Sequence, residues 1–278
     1  MRRIRAVPPP RCGSRRAFLL TASSLVAAPV FAQVNVGPPS SMRSLVPAEE
    51  LEQAATQQYG ELLEQARSKN ALAPDNNPQL QRLRAIAGRL IVDAPRWNER
   101  ARQWHWEVNL IGSKQVNAFC MPGGKIAVFT GLLQQLQVTD DELAMVLGHE
   151  MAHALREHAR ERIAKTQGTG ALLSLGAQLF GLGQLGNVAA DIGTQLLSLK
   201  YSRDDETEAD LVGLELGARA GFNPEAAVSL WEKMDRAAGA GGGMAFLSTH
   251  PSGPDRMRRL KENIPRVEGL YRQALARR

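Results

Sequence analysis

His149 and His153 lie four residues apart, and an acid, Glu150, directly follows the first. On a helix, positions four apart are about 40° apart around the axis and about 6 Å apart along it. Both imidazoles can therefore reach one tetrahedral Zn²⁺ from the same face. Glu150 would stand beside that metal without binding it, where a general base for a zinc-bound water belongs. The residues upstream encode a helix to carry them. Thr139-Asp140-Asp141-Glu142 reads as a capping box that starts a helix at Asp140. Leu143, Val146 and Leu147 give it an apolar stripe, and the helix is predicted to run to about Thr166. The alternative, chance histidines on a solvated helix, fits poorly with a motif near the middle of a core helix.

A catalytic zinc needs a third protein ligand and an open position. The metzincin pattern puts a third His ten residues after the first, with a Gly three residues before it. Ala159 and Arg156 stand at those positions here. His158 is one residue short and reads as facing away, a surface or helix-packing residue. Glu206-Thr207-Glu208-Ala209-Asp210 offers carboxylates instead. Glu206 and Asp210 share a helix face, so one can bind metal while the other holds a ligand histidine by its distal N–H. Glu208 is expected to point elsewhere. Acids also favour a helix start for electrostatic reasons, but His149 and His153 need a partner, and this segment best supplies it.

The elements around these segments follow from pattern. Residues 33–46, rich in Pro, Ser and Gly, read as a flexible lead-in. Two amphipathic helices are predicted from Pro47 to about Ser68 and from Pro78 to Val92, separated by a break at 73–78. Three short strands follow, at Trp104–Leu110, Val116–Cys120 and Lys125–Phe129. His105 is read as an exposed strand residue. Residues 166–190 carry no charge, but repeated glycines make a covering segment the reading over a membrane span. Further helices are expected from about Ala189 to Tyr201, from Asp204 to Ala220, after Asn223-Pro224, and from about Pro254. Gly239–Gly243 reads as a flexible loop, and the basic C-terminal residues, Arg256 among them, as a solvated face. The expectation is an α+β, mostly helical zincin-like domain with a small, mainly antiparallel sheet beside the His-Glu-x-x-His helix.

Composition bounds the setting. Residues 1–32 show a basic start with Arg15-Arg16, an apolar run to Ala28, and Val30-Phe31-Ala32 as a small-residue cleavage site. This is a secretory signal, with the paired arginines and Phe18-Leu19 pointing to the twin-arginine type. An ordinary Sec signal is the alternative, and the run is shorter than the roughly 18 residues a membrane helix needs. The chain has 34 basic and 28 acidic residues, and six of the basic ones are arginines of residues 1–32, so 28 of each remain beyond it. The basic net charge thus gives no support to nucleic-acid binding. Cys120 is the one cysteine beyond that segment, so no internal disulfide is expected. It reads as a small buried hydrophobe rather than a latent zinc ligand. The expected organisation is a signal over 1–32, a linker and N-terminal helix over 33–74, and a metallopeptidase domain over 75–278. The expected location is exported and periplasmic, with no transmembrane helix after the signal. Peripheral contact with the membrane and the oligomeric state stay open.

Several motifs occur in order: Asn117-Ala118-Phe119-Cys120-Met121-Pro122-Gly123-Gly124, Thr130-Gly131-Leu132-Leu133, the His149–His153 motif, Glu206 to Asp210 preceded by Ser202-Arg203, and Thr249-His250-Pro251. Together, over about residues 75–265, they resemble the gluzincin metallopeptidases, the family of the CAAX prenyl proteases and the heat-shock protease HtpX. The soluble exported branch, which includes the periplasmic beta-barrel assembly-enhancing protease, is the most similar. The resemblance implies an ATP-independent endopeptidase holding one Zn²⁺ per subunit through His149, His153 and Glu206. It makes Glu150 the base and Asp210 the residue that holds a ligand histidine. It places a sheet edge over the site and the Thr249-His250-Pro251 loop at the cleft. The strand residues Asn117, Ala118 and Phe119 can then pair with extended substrate, and the tetrahedral oxygen needs a donor, for which His250 is favoured, with a gating role as the alternative, ahead of Tyr201. Membrane-embedded prenyl-protease chemistry and partner docking through a C-terminal helical-repeat domain are not implied. Misfolded or unassembled envelope proteins are the substrates such an enzyme suits. The alternative is a zinc-binding, chaperone-like protein with little proteolysis.

Replacing Arg15 and Arg16 together with Lys is expected to block export if the signal is of the twin-arginine type. Fractionation of cells lacking the twin-arginine translocase checks this, and normal export there would identify a Sec signal.

Overall fold

The computed structural model describes residues 34–167, 200–239, 245–250 and 253–277. The chain divides into Met1–Phe31 and Ala32–Arg278. The expected signal segment, residues 168–190 of the uncharged run, nearly all of the helix expected from Ala189 and the glycines at 241–243 lie outside the described residues.

The second unit is α+β and mostly helical. Helix α1 (Ala48–Ser68) and helix α2 (Pro78–Ile91) come first. Asn77 caps α2 by accepting from the N–H groups of Gln79 and Leu80, with Pro78 at the first turn. Leu80, Leu83, Ile86, Ala87 and Leu90 then turn into the core on a helical period. Strands β1 (Glu107–Ile111), β2 (Ala118–Met121) and β3 (Lys125–Phe129) form one sheet in the order β1-β3-β2. The tight turn through Gly123 and Gly124, both at positive φ, makes β2 and β3 an antiparallel hairpin. β1 runs parallel to β3 on its other side, so the sheet is mixed, and the expected antiparallel arrangement holds for one of its two pairings. β1 starts at Glu107 rather than Trp104, because the Trp104 and Trp106 rings pack on each other, 5.2 Å between centroids, at the head of the strand.

Helices α3 (Thr130–Leu136) and α4 (Asp140–Leu155) follow the sheet. Both capping-box bonds of α4 are present, Glu142 N–H to Thr139 Oγ1 and Thr139 N–H to a Glu142 carboxylate oxygen. The predicted continuous helix to Thr166 is instead broken. α4 stops at Leu155, Glu157 takes a left-handed φ of 59°, and α5 (His158–Gln167) starts in a new direction. Arg43 and Arg160 both pair with the Glu157 carboxylate at that corner, partners that the local helical pattern could not reveal. Helix α6 (Arg203–Arg219) opens on a second capping box, Ser202 with Asp205. Helices α7 (Ala226–Gly239), α8 (Ala245–Thr249) and α9 (Pro254–Ala276) complete the α-helices among the described residues.

Residues 34–46, expected to be a flexible lead-in, are docked. Val34 is buried and its N–H donates to Glu215 Oε2 at 2.7 Å. The carbonyls of Gly37 and Val46 accept from Arg156 and Arg160. Ser41–Leu45 even forms a short 3-10 helix capped by Ser40; composition is silent on this and on donors reaching the segment from distant helices. α1 is likewise tied to the sheet by the Tyr59 hydroxyl, which donates to the Ile126 carbonyl.

α4 crosses α6 with their backbones in contact. A Cβ at Gly213 would lie 2.7 Å from His149 N, and one at Gly148 would lie 2.9 Å from the Gly213 carbonyl oxygen. Only glycine lets the two helices come this close. By helix propensity alone Gly213→Ala would stabilise α6 by about 1 kcal/mol. The contact reverses the sign: overpacking against backbone costs about 1–3 kcal/mol, and the helices must separate at the residue next to His149. Gly213→Ala is therefore expected to lower the thermal midpoint and the affinity for zinc together. A variant more stable than the parent would refute the crossing.

Candidate metal centre

α4 presents His149 and His153 on one face, and α6 presents Glu206 and Asp210 on the face opposite. His250, just after α8, completes the cluster. The His149 and His153 Nε2 atoms are 3.1 Å apart. His250 Nδ1 lies 3.3 Å from His149 Nε2 and 2.9 Å from Glu206 Oε1. The Glu206 oxygens are 3.5 Å from His149 Nε2 and 3.6 Å from His153 Nε2. These spacings match the edges of a tetrahedron around zinc, about 3.3 Å for metal–ligand bonds of about 2.0 Å. The donor set of imidazoles and one carboxylate suits zinc as well. All four side chains are buried, and among the described residues no other group of metal-capable side chains converges in this way.

Burial pushes these groups toward their neutral forms, and local charge decides which of them resist it. Burial raises the Glu206 carboxyl, but hydrogen bonds from His149 and His250 hold it well below the usual range. Asp210 is lowered too, because against the cost of burial it has the Arg256 charge and a bond with His149. His149 Nδ1 meets Asp210 Oδ1 at 3.0 Å. Burial disfavours charge on His149, yet Asp210 and Glu206 push its pKa up to about 9 in the metal-free cluster. His153 goes the other way, lowered by burial and by the surrounding cations. Glu150 is raised, chiefly by burial. Its Oε1 is buried without a hydrogen-bond partner, with His250 Nε2 3.6 Å away.

One edge of β2 pairs with β3, and the residues of β2 line a cleft with Glu150, Tyr201 and His250. Asn117, Ala118 and Phe119 are in that lining. Tyr201 stacks on His153, with 3.9 Å between centroids and 19° between planes. Burial pushes its phenol up, so the hydroxyl stays a donor. Burial also keeps the Cys120 thiol protonated, as a small buried hydrophobe should be. His105 is exposed and takes no part in the cluster.

Two residues, His158 and Arg256, depart from their sequence-based reading. His158 does not face away: it is 2% exposed, and its Nδ1 lies 2.9 Å from His153 Nδ1. The break at Glu157 turns it inward, which a continuous helix would not. Glu208 stands outside the donor group, as expected, and its Oε2 lies 2.7 Å from Arg156 Nε and 3.3 Å from His158 Nε2. Arg256 is not part of a solvated face. It is 6% exposed, donates to both oxygens of Asp210 at 2.7 Å, pairs with Glu206 Oε2 at 2.8 Å and lies over the Trp231 ring.

Residues 78–264 match the profile of peptidase family M48. The chain is 43% identical over 165 residues to the mitochondrial metalloendopeptidase OMA1 of Schizosaccharomyces pombe, covering 59% of this chain and 48% of that protein. It is 41% identical over 175 residues to the Arabidopsis thaliana protein of the same name, covering 62% and 35%. It is 29% identical over 203 residues to the metalloprotease LoiP of Escherichia coli, covering 71% and 75%. The chain thus spans half or less of the two OMA1 proteins. Among the described residues no helix is long and apolar enough to cross a membrane.

Arg256→Met is expected to destabilise the metal-free protein by about 3–5 kcal/mol, the cost of leaving buried ionised partners unpaired. Urea unfolding of metal-free protein measures it. Arg256→Lys keeps the charge but not the fork that meets both Asp210 oxygens and should fall between. Unchanged stability in both variants would show that Glu206 and Asp210 do not depend on Arg256.

Proposed function

The chain belongs to peptidase family M48, and on that footing we propose that it is a zinc-dependent endopeptidase acting on misfolded or unassembled proteins of the cell envelope. The observation that carries the reading is the buried convergence of His149, His153 and Glu206 donors, with the unpartnered Glu150 carboxylate oxygen beside it. The reading of residues 1–32 as an export signal supports the envelope location, and a periplasmic site of action follows from it.

His149, His153 and Glu206 would hold the zinc. When bound, zinc supplies Lewis acidity to the scissile carbonyl and the attacking water. Glu150 takes the proton from that water and returns it to the leaving amine. Its raised pKa suits both halves of that transfer. Asp210 keeps His149 in the tautomer that frees Nε2 for the metal, and Arg256 keeps Asp210 ionised. The outer edge of β2, where Asn117 Oδ1 already holds Ala118 N–H, would offer its remaining main-chain groups to an extended segment, which favours unfolded chains and asks little of their sequence. The Tyr201 hydroxyl is available to the oxygen that becomes negative as the water attacks.

His250 fills the fourth corner of the cluster, where its Nδ1 pairs with Glu206. This supports a gate more than an oxyanion donor: substrate must displace the ring before the reacting groups assemble.

The purified protein should contain one zinc, and casein hydrolysis should stop with a chelator and return with zinc. Glu150→Gln should keep the zinc and lose nearly all turnover. Zinc retained with no hydrolysis by the parent protein would favour the chaperone-like alternative, and normal cleavage by Glu150→Gln would remove Glu150 as the base. His250→Ala separates the two roles of that ring. Raised basal cleavage supports the gate, whereas a kcat lower by roughly two to three orders of magnitude supports the donor.

A further inference from the structure

We infer that His158 and Glu208 form a positioning relay that holds the metal-binding orientation of His153, so that zinc affinity depends on both. The inference rests on His149, His153 and Glu206 being the zinc ligands. His153 turns Nε2 to the cluster, 3.1 Å from His149 Nε2. Its Nδ1 is then on the far side of the ring, 2.9 Å from His158 Nδ1. A ring that binds metal through Nε2 carries its proton on Nδ1, so His153 donates and His158 Nδ1 accepts. That fixes the His158 proton on Nε2, which lies 3.3 Å from Glu208 Oε2. Glu208 is itself held by Arg156 Nε at 2.7 Å, and Arg156 Nη2 donates to the Gly37 carbonyl at 3.0 Å.

The two ligand histidines are therefore anchored by different devices. His149 reaches its carboxylate, Asp210, directly. His153 reaches Glu208 through an intervening imidazole. Tyr201 stacks on His153 and fixes the plane of the ring, but stacking tolerates a half-turn flip. That flip would exchange Nε2 for Cε1 at the metal. The bond from Nδ1 to His158 is what distinguishes the two orientations. His158 is 2% exposed and its corner is set by the left-handed Glu157, so the acceptor is rigidly presented.

The test titrates zinc into metal-free protein against a competing chelator and records the absorption spectrum of the cobalt-substituted protein. His158→Phe keeps the ring volume and removes the acceptor. It should weaken zinc binding roughly 10–100-fold and alter the cobalt spectrum. Glu208→Ala, at a half-buried position, should shift both readouts in the same direction by less. His158→Asn places an amide oxygen where Nδ1 stands and should recover part of the affinity. A purely structural role for His158 would lower stability and leave the cobalt spectrum unchanged. If His158→Phe does not fold, Glu208→Ala and His158→Asn decide, and parental zinc affinity in both overturns the relay. If the parent protein itself binds no stoichiometric zinc, the metalloendopeptidase reading fails first, and the relay with it.

Discussion

The metal cluster depends on one steric fact, the contact of two helix backbones at Gly148 and Gly213. His149 and Asp210 are 61 residues apart in sequence, and each sits within a turn of that contact. Side chains as short as a carboxylate on α6 can meet imidazoles on α4 only if the axes approach closely. A methyl group at either glycine would hold them apart, and the donor atoms would no longer converge. The rest of the core serves this crossing. α4 is buried along nearly its whole length, with α2 and the sheet packed on its other sides, so it cannot retreat from α6.

Bringing these groups together creates an electrostatic problem that the remaining residues solve. Glu206 and Asp210 are removed from water, which by itself would protonate them. Arg256, itself desolvated against Trp231, and the imidazoles keep them ionised. Glu150 is treated differently. Among the described residues its Oε1 has no hydrogen-bond partner, the His250 Nε2 stands 3.6 Å from it, and burial raises it. Three carboxylates in one dry site are thus divided by what stands beside them, two lowered by their cationic and hydrogen-bonding neighbours and one raised by burial.

The stretch shared with the family, residues 78–264, contains every member of the cluster. The segment before it adds contacts of its own. Gly37 accepts from Arg156, Val34 donates to Glu215, and Arg43 pairs with Glu157. All three fall on residues that shape the backs of α4, α5 and α6, so the N-terminal residues brace the helices from outside the cluster.

The parts of this protein legible in its sequence were those with a local cause. Spacing four apart on a capped apolar helix set His149, Glu150 and His153, because helical geometry alone puts such residues on one face. The same rule paired Glu206 with Asp210, and a capping box marked where α4 begins. Arg256, His158 and Glu208 were not legible, because what makes each of them part of the centre lies elsewhere in the chain. Arg256 looked like its exposed neighbours until α9 was laid against α6. His158 turned inward because Glu157 left the helix, and Glu157 left it where Arg43 and Arg160 gather on its carboxylate. Sequence determined which atoms could bind a metal, since that follows from residue type and helical period. Only the tertiary structure decided which buried charges would be paired and which left open, since that depends on side chains that meet across helices with no register between them in the sequence.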